Sequence, residues 1–231
     1  MKTVVTLDDK KFSGDYCDLA HVEVVDEKGI CTAKYVSIEW LMGALKGSQY
    51  VDDKYYRIGK LPQNYYEGAF RRESNGDISG QIILIVPKAK FNIKFEKTSY
   101  HVPFPALLFN CFIENGSLRK TQVFALKGNK WKKNTLLYKH PFGNVDSHSH
   151  KVCWGSNVLP QIKDLKTLDV ICSMFYDAPF NNDYYQAGET IKWKSKNLRE
   201  VFEKLKDCQE FPENILVKSG KNISSLMKNF L

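Results

Sequence analysis

Five runs of strand-forming residues follow one another between residues 81 and 138: 81–86 (QIILIV), 91–95 (FNIKF), 105–113 (PALLFNCFI), 121–126 (TQVFAL) and 134–138 (NTLLY). Asn115-Gly116 and Gly128-Asn129 interrupt them where a hairpin must reverse, and both residue types accept the positive φ that such turns require. Strands joined by connections this short pair antiparallel, since a parallel crossover consumes a dozen residues or more. The pattern predicts an antiparallel meander.

The segments on either side complete the fold class. Residues 20–25 (AHVEVV) and 30–36 (ICTAKYV) surround Asp26-Glu27-Lys28-Gly29 and predict a hairpin. Ser37 is placed to cap a short helix over 38–46, with Gly47 as its stop. Its Ile38, Leu41, Met42 and Leu45 fall at i, i+3, i+4 and i+7, a greasy face suited to packing on a sheet. The stretch 73–80 (ESNGDISG) reads as a turn or linker, and divides the chain into an N-terminal extension, 1–79, and a larger domain, 80–231. Beyond residue 160 the period changes: Ile162, Leu165, Leu168, Cys172 and Phe175 fit one helical face. Asn197 and Glu200 make a capping box for a helix over 198–207, with Leu198, Val201, Phe202 and Leu205 on one face. Strands first and helices after predict an α+β fold, with the helices packed to one side of the meander.

At 231 residues, with 43% hydrophobic and 13% aromatic side chains, the chain can bury a substantial core, and disorder is a poor reading. The longest aliphatic run, Ile82 to Val86, falls far short of the about 20 residues a membrane-spanning helix needs. The N-terminus, MKTVVTLDDKKF, turns charged without a cleavage-type signal, which predicts a cytoplasmic protein. The net charge of +8 is unevenly spread: residues 101–160 hold 8 basic and 2 acidic side chains, and the rest of the chain is close to neutral. An excess that local predicts a positive surface near a working site or partner contact, rather than a coat for nucleic acid.

The six cysteines, Cys17, Cys31, Cys111, Cys153, Cys172 and Cys208, include no CxxC pair. They read as free thiols of a reducing compartment. Cys111 lies in the apolar run 107–113 and Cys172 among Val170, Ile171 and Met174, so both are expected in the core. Cys153 differs. It belongs to the long segment 138–157, which also holds His140, His148 and His150, and a loop of that length is usually functional. Trp154-Gly155 allows a tight turn that would keep its sulfur near the surface. Imidazoles, lysines and the local positive charge favour a thiolate, which makes Cys153 the candidate nucleophile.

Taken in order, the strand 134–138, His140-Pro141, Asn144-Val145 and Val152-Cys153 resemble the active-site signature of ubiquitin-conjugating enzymes. In that family a four-stranded meander leads into a His-Pro-Asn motif, and the catalytic cysteine follows after a short gap. The closer similarity is to a bacterial branch, prokaryotic ubiquitin-conjugating family D, which includes a protein of the PRTRC plasmid-linked gene system. It extends over Val102-Pro-Phe-Pro-Ala-Leu-Leu-Phe109, Val123-Phe-Ala-Leu126, Thr135-Leu-Leu-Tyr138, Pro141-Phe142, Asn144-Val145 and Val152-Cys-Trp-Gly-Ser156. The resemblance covers about 80 to 180. It implies a ubiquitin-conjugating-enzyme-like fold in which Cys153 takes the C-terminus of a ubiquitin-like protein as a thioester from an activating enzyme and passes it to an amine. His140 and Pro141 would shape the loop beside the cysteine. The motif's third position, an asparagine thought to support the oxyanion, is Phe142 here, and the gap to the cysteine is longer. Oxyanion stabilisation needs a donor about 3 Å from the developing charge, which Phe142 lacks. Asn144 is the first replacement, since its amide donates at any pH. His148 or His150 could also donate, and either could deprotonate the attacking amine. The implied partners are the activating enzyme, the ubiquitin-like protein and a deubiquitinating-type metalloprotease of the same operon. The N-terminal hairpin and helix would stand where such folds meet the activating enzyme, and no cofactor is implied.

Three other readings compete. His148, His150 and Cys153 with Asp146 could ligate zinc, although no second cysteine stands at ligand spacing. Lys127-Gly-Asn-Lys-Trp-Lys-Lys133 could contact nucleic acid, but reads more simply as a charged hairpin tip. The third keeps the fold and drops the chemistry: a binding-only relative, for which Phe142 is the argument.

Overall fold

The computed structural model describes residues 2–6, 19–47 and 60–227. The chain divides into two compact units, Met1–Tyr55 and Tyr56–Leu231.

In the first unit, β1 (Lys2–Thr6), β2 (Leu19–Val25) and β3 (Cys31–Ser37) form an antiparallel sheet in that order, followed by α1 (Ile38–Gly47). The expected hairpin is present. An Asp26 carboxylate oxygen accepts the Lys28 and Ile30 amides (2.8 and 2.9 Å), and Gly29 takes a left-handed φ of +81° to close the turn. Ser37 Oγ accepts the Trp40 amide at 3.1 Å, so the helix starts where a hydroxyl can satisfy its free donor. Its greasy face is only partly used: Leu41 is buried with Ala20 and Val22, whereas Met42 and Leu45 stay half exposed.

The second unit adds β4 (Tyr65–Arg72), β5 (Ile78–Val86), β6 (Ala89–Phe95), β7 (Thr98–Phe104), β8 (Ala106–Glu114), β9 (Ser117–Leu126), β10 (Leu136–Lys139), α2 (Thr167–Asp177), α3 (Leu198–Leu205) and β11 (Lys218–Asn222). Six of these strands make one sheet, in the order β11-β10-β9-β8-β5-β4 with antiparallel neighbours, and β6 and β7 form a separate two-stranded ribbon. The α+β class is therefore correct. Two details differ. The stretch 73–80 is the turn of the β4–β5 hairpin plus the start of β5, so the large sheet begins upstream of residue 79. Strand β7 went unpredicted because Pro103 interrupts it, yet a two-stranded ribbon has open edges that tolerate a missing donor.

Both faces of the large sheet are covered. On one, Ile82, Leu84, Phe109, Cys111 and Val123 pack against Phe175 of α2 and Phe202 of α3. On the other, Ile83, Ile85, Leu108, Phe124 and Leu137 meet Ile223 and Leu226 of a C-terminal 3-10 turn. This explains why 82–86 is an unbroken apolar run rather than an alternation. The helices lie on one face as expected, but the second face is not solvated. Helix α2 starts at Thr167, later than the apolar spacing suggested, because Ile162 is tied by its amide to the Gly116 carbonyl (2.7 Å); Ile162 and Leu165 are buried all the same. At α3, Asn197 Oδ1 accepts the Glu200 amide (3.1 Å), but Glu200 returns its bond to the Lys196 amide (3.0 Å), which is half of the expected capping box. Among the described residues, no helix is long and apolar enough to cross a membrane.

Candidate active site

The long segment after β10 is folded back on itself. Residues 144–146 run antiparallel to 151–153: the Cys153 amide donates to the Asn144 carbonyl (2.8 Å), Val145 bridges Val152, and the Asp146 amide donates to the Lys151 carbonyl (3.0 Å). Between them Asp146 closes the turn, its Oδ1 accepting the amides of Ser149 (2.6 Å) and His148 (3.2 Å). Hydrogen bonds from Ser149 hold its carboxyl below the usual range. Asn144 and His150 flank the turn with φ of 67° and 61°, left-handed values unusual outside glycine and often found at functional sites.

This small hairpin docks on β9 where β10 has ended. The Val123 amide donates to the His150 carbonyl and the Val152 amide to the Thr121 carbonyl, both at 2.9 Å, with Lys151 opposite Gln122. A row of buried amides supports it from below. Gln81 Nε2 donates to Asn110 Oδ1 (2.7 Å), Asn110 Nδ2 to Gln122 Oε1 (3.2 Å), and Gln122 Nε2 to the Ser149 carbonyl (2.7 Å). Gln122→Met keeps the length and removes that last donor. We expect it to cost about 1–3 kcal/mol, read as a lower urea midpoint at an unchanged slope.

Cys153 emerges from this frame exposed, with the Gly155 turn after it, as its neighbours predicted. Cys111 and Cys172 are buried, and burial pushes the Cys111 thiol up to about 12. Cys31 is exposed and Cys208 half-buried; Cys17 lies outside the described residues. In native protein, maleimide is expected to label Cys31 and Cys153 quickly, Cys208 more slowly, and Cys111 and Cys172 only after unfolding, which peptide mass mapping checks.

Two of the three histidines are buried against aromatic rings and the third is exposed. His140 is 2% exposed, its Nδ1 against the Phe142 carbonyl (3.3 Å) and its ring among Phe104, Phe142, Phe175 and Phe180; burial lowers its pKa to about 3, so it is neutral. His150 is also buried, its ring centroid 4.4 Å from that of Phe124, and burial, with Lys221 and Lys139, lowers its pKa to about 4. Neither carries positive charge at neutral pH, so neither supplies the imidazolium expected beside the thiol. His148 is exposed, its Nδ1 3.1 Å from Ser147 Oγ. Asn144 is 7% exposed and donates through Nδ2 to the Pro179 carbonyl (3.0 Å). Phe142 is fully buried in the aromatic core. Sequence reasoning missed Tyr184, which stands beside Cys153: the cysteine's charge is the main influence raising the tyrosine's pKa, ahead of burial. No spacing signal could have found it, since it reaches the site from the loop after α2. Among the described residues, no group of three His, Cys, Asp or Glu side chains is placed to hold a metal.

The site is thus an exposed thiol held by a backbone clamp at the end of a meander. A family model described as prokaryotic E2 family D matches residues 77–219, more than half of the chain and all of this site. The chain belongs to prokaryotic E2 family D, a family of bacterial E2-like proteins. No curated protein and no solved structure matches it.

Proposed function

We propose that this chain is a ubiquitin-like-protein conjugating enzyme of the cytoplasm, with a ubiquitin-conjugating-like fold carried by its second unit and Cys153 as the acyl carrier. The observation that carries the reading is the exposed Cys153, clamped through its amide to the Asn144 carbonyl, within a chain of an E2-like family. The Cys153 sulfur attacks the thioester carbonyl presented by an activating enzyme; the new C–S bond forms, and the departing sulfur leaves with the proton. An amine then attacks the same carbonyl, the C–S bond breaks, and Cys153 recovers its proton as the amide forms. His140 acts as a neutral wedge that shapes the loop, which its burial among four phenylalanines supports. Asn144 positions Cys153 through its backbone carbonyl, and its side-chain amide, which donates to the Pro179 carbonyl, is the candidate to replace the missing motif amide. His148, exposed beside the hairpin turn, suits proton removal from the amine better than His150, which faces Phe124. The partners are an activating enzyme, a ubiquitin-like protein and, from the same operon, a deubiquitinating-type metalloprotease.

Incubation with the cognate activating enzyme, ubiquitin-like protein and ATP should give an adduct that thiols cleave. A second reading, a binding module without chemistry, draws on Phe142, which fills the core where the parent family places its oxyanion-supporting asparagine. Failure of a verified cognate set to load the protein would favour it.

A further inference from the structure

Beside the candidate thiol, one face of the large sheet collects lysines from three strands and the active hairpin. On β9, Lys120, Gln122 and Phe124 alternate onto a single face. Lys139 lies directly opposite Phe124 on β10, and Lys151 directly opposite Gln122, and directly opposed residues share a face. Lys221 of β11 places its Nζ 5.8 Å from the Phe124 ring centre, and Lys120 its Nζ 4.5 Å from that of Phe112. Four ammonium groups therefore stand on one patch. Among the described residues, none of them forms an ion pair. Their mutual repulsion is felt: burial first, then Lys151 and Lys221, lower the Lys120 pKa, and Lys221 and Lys139 lower that of the neighbouring His150. A shallow groove of about 110 Å³, lined by Arg119, Lys120, Lys151 and Trp154, continues the patch along β9. Lys151 and Cys153 are two residues apart in an extended segment, so their Cα atoms stand about 7 Å from each other.

Folding brings four like charges together, and among the described residues none of them gains an ion pair, with Asp146 the one acid whose charge reaches His150 beside them; an incoming anionic surface would relieve that arrangement. We propose that this lysine face is a docking surface for an acidic segment of the protein delivered to Cys153, holding carboxylates opposite Lys120, Lys139, Lys151 and Lys221. The proposal rests on the conjugating-enzyme reading, since it is the thiol's acyl donor that the face would steer. Protein carboxylates fit better than nucleic acid. The Phe112 and Phe124 rings on this face lie under lysine ammonium groups, so neither offers a bare platform for base stacking.

The test is fluorescence anisotropy of the full chain with a short labelled peptide rich in Glu and Asp, followed by amide resonance mapping. The expected result is binding that weakens about tenfold or more in Lys120→Glu/Lys221→Glu, and also falls in Lys139→Gln/Lys151→Gln, which disturbs folding least. Resonances of residues 120, 139, 151 and 221 should move together. Cys153→Ala should bind the peptide as the native chain does, so failure of the thioester chemistry and failure of this surface give different results. Equal binding by the charge variants would overturn the proposal. So would displacement of the peptide by a single-stranded oligonucleotide of matched charge at lower concentration, which would make this a nucleic-acid surface.

Discussion

Replacing Cys153 with alanine is expected to abolish formation of the adduct with the ubiquitin-like protein while leaving the fold unchanged. The side chain is exposed and its backbone amide, not its sulfur, holds the Asn144 carbonyl, so the substitution keeps the clamp. Stability should stay within about 0.5 kcal/mol of the native protein. The other thiols predict the reverse pattern. Cys111→Ala or Cys172→Ala removes a buried sulfur and should cost about 1 kcal/mol in urea unfolding while loading continues. Loss of loading in Cys111→Ala with the fold intact would mean that the wrong thiol had been assigned.

The second large effect is on stability against pH. His140 and His150 titrate at about 3 and about 4 in the folded chain, against an ordinary value of 6.5, and burial is the leading cause for both. As pH falls below 6.5 the unfolded chain binds protons that the folded chain refuses, so folding stability declines toward acid and is fully present above 6.5. His140 loses about 1.4 kcal/mol per pH unit inside its window, or about 2 kcal/mol at pH 5, and His150 loses less, since solvent and nearby charges screen part of its shift. Urea midpoints should therefore fall from pH 7 to pH 5, and His140→Gln should flatten part of that slope. Asp146, Glu73 and Glu203, whose carboxyls are held below their ordinary values, add a loss of the same sign only as pH falls toward those values, so the range from pH 7 to 5 is governed by the histidines. A midpoint independent of pH over that range would show that neither imidazole is buried in a neutral state.

Much of this site was legible as chain order and little of it as three-dimensional contact. The turn signals Asn115-Gly116 placed the β8–β9 hairpin, where both residues adopt positive φ, and the exposure of Cys153 followed from Trp154-Gly155. The histidines were misleading because spacing along a loop does not say which way a ring turns: His140 and His150 both turn into apolar surroundings, where a neutral imidazole can be buried. Strand β11, KSGKN, carries no apolar pattern at all and is held by its pairing to β10. Gln81, Asn110 and Gln122 look like unremarkable polar residues in their strands, and become a supporting row only when β5, β8 and β9 are laid side by side. Tyr184 is brought to the thiol by tertiary folding alone.

The central claim is that Cys153 carries an acyl group, and the direct measurement is mass spectrometry of the adduct formed with the cognate activating enzyme, ubiquitin-like protein and ATP. The expected result is a thiol-labile link on the peptide containing Cys153, replaced in Cys153→Ser by a link that thiols do not cleave. A link mapped to another residue, or one that persists in Cys153→Ala, would contradict it.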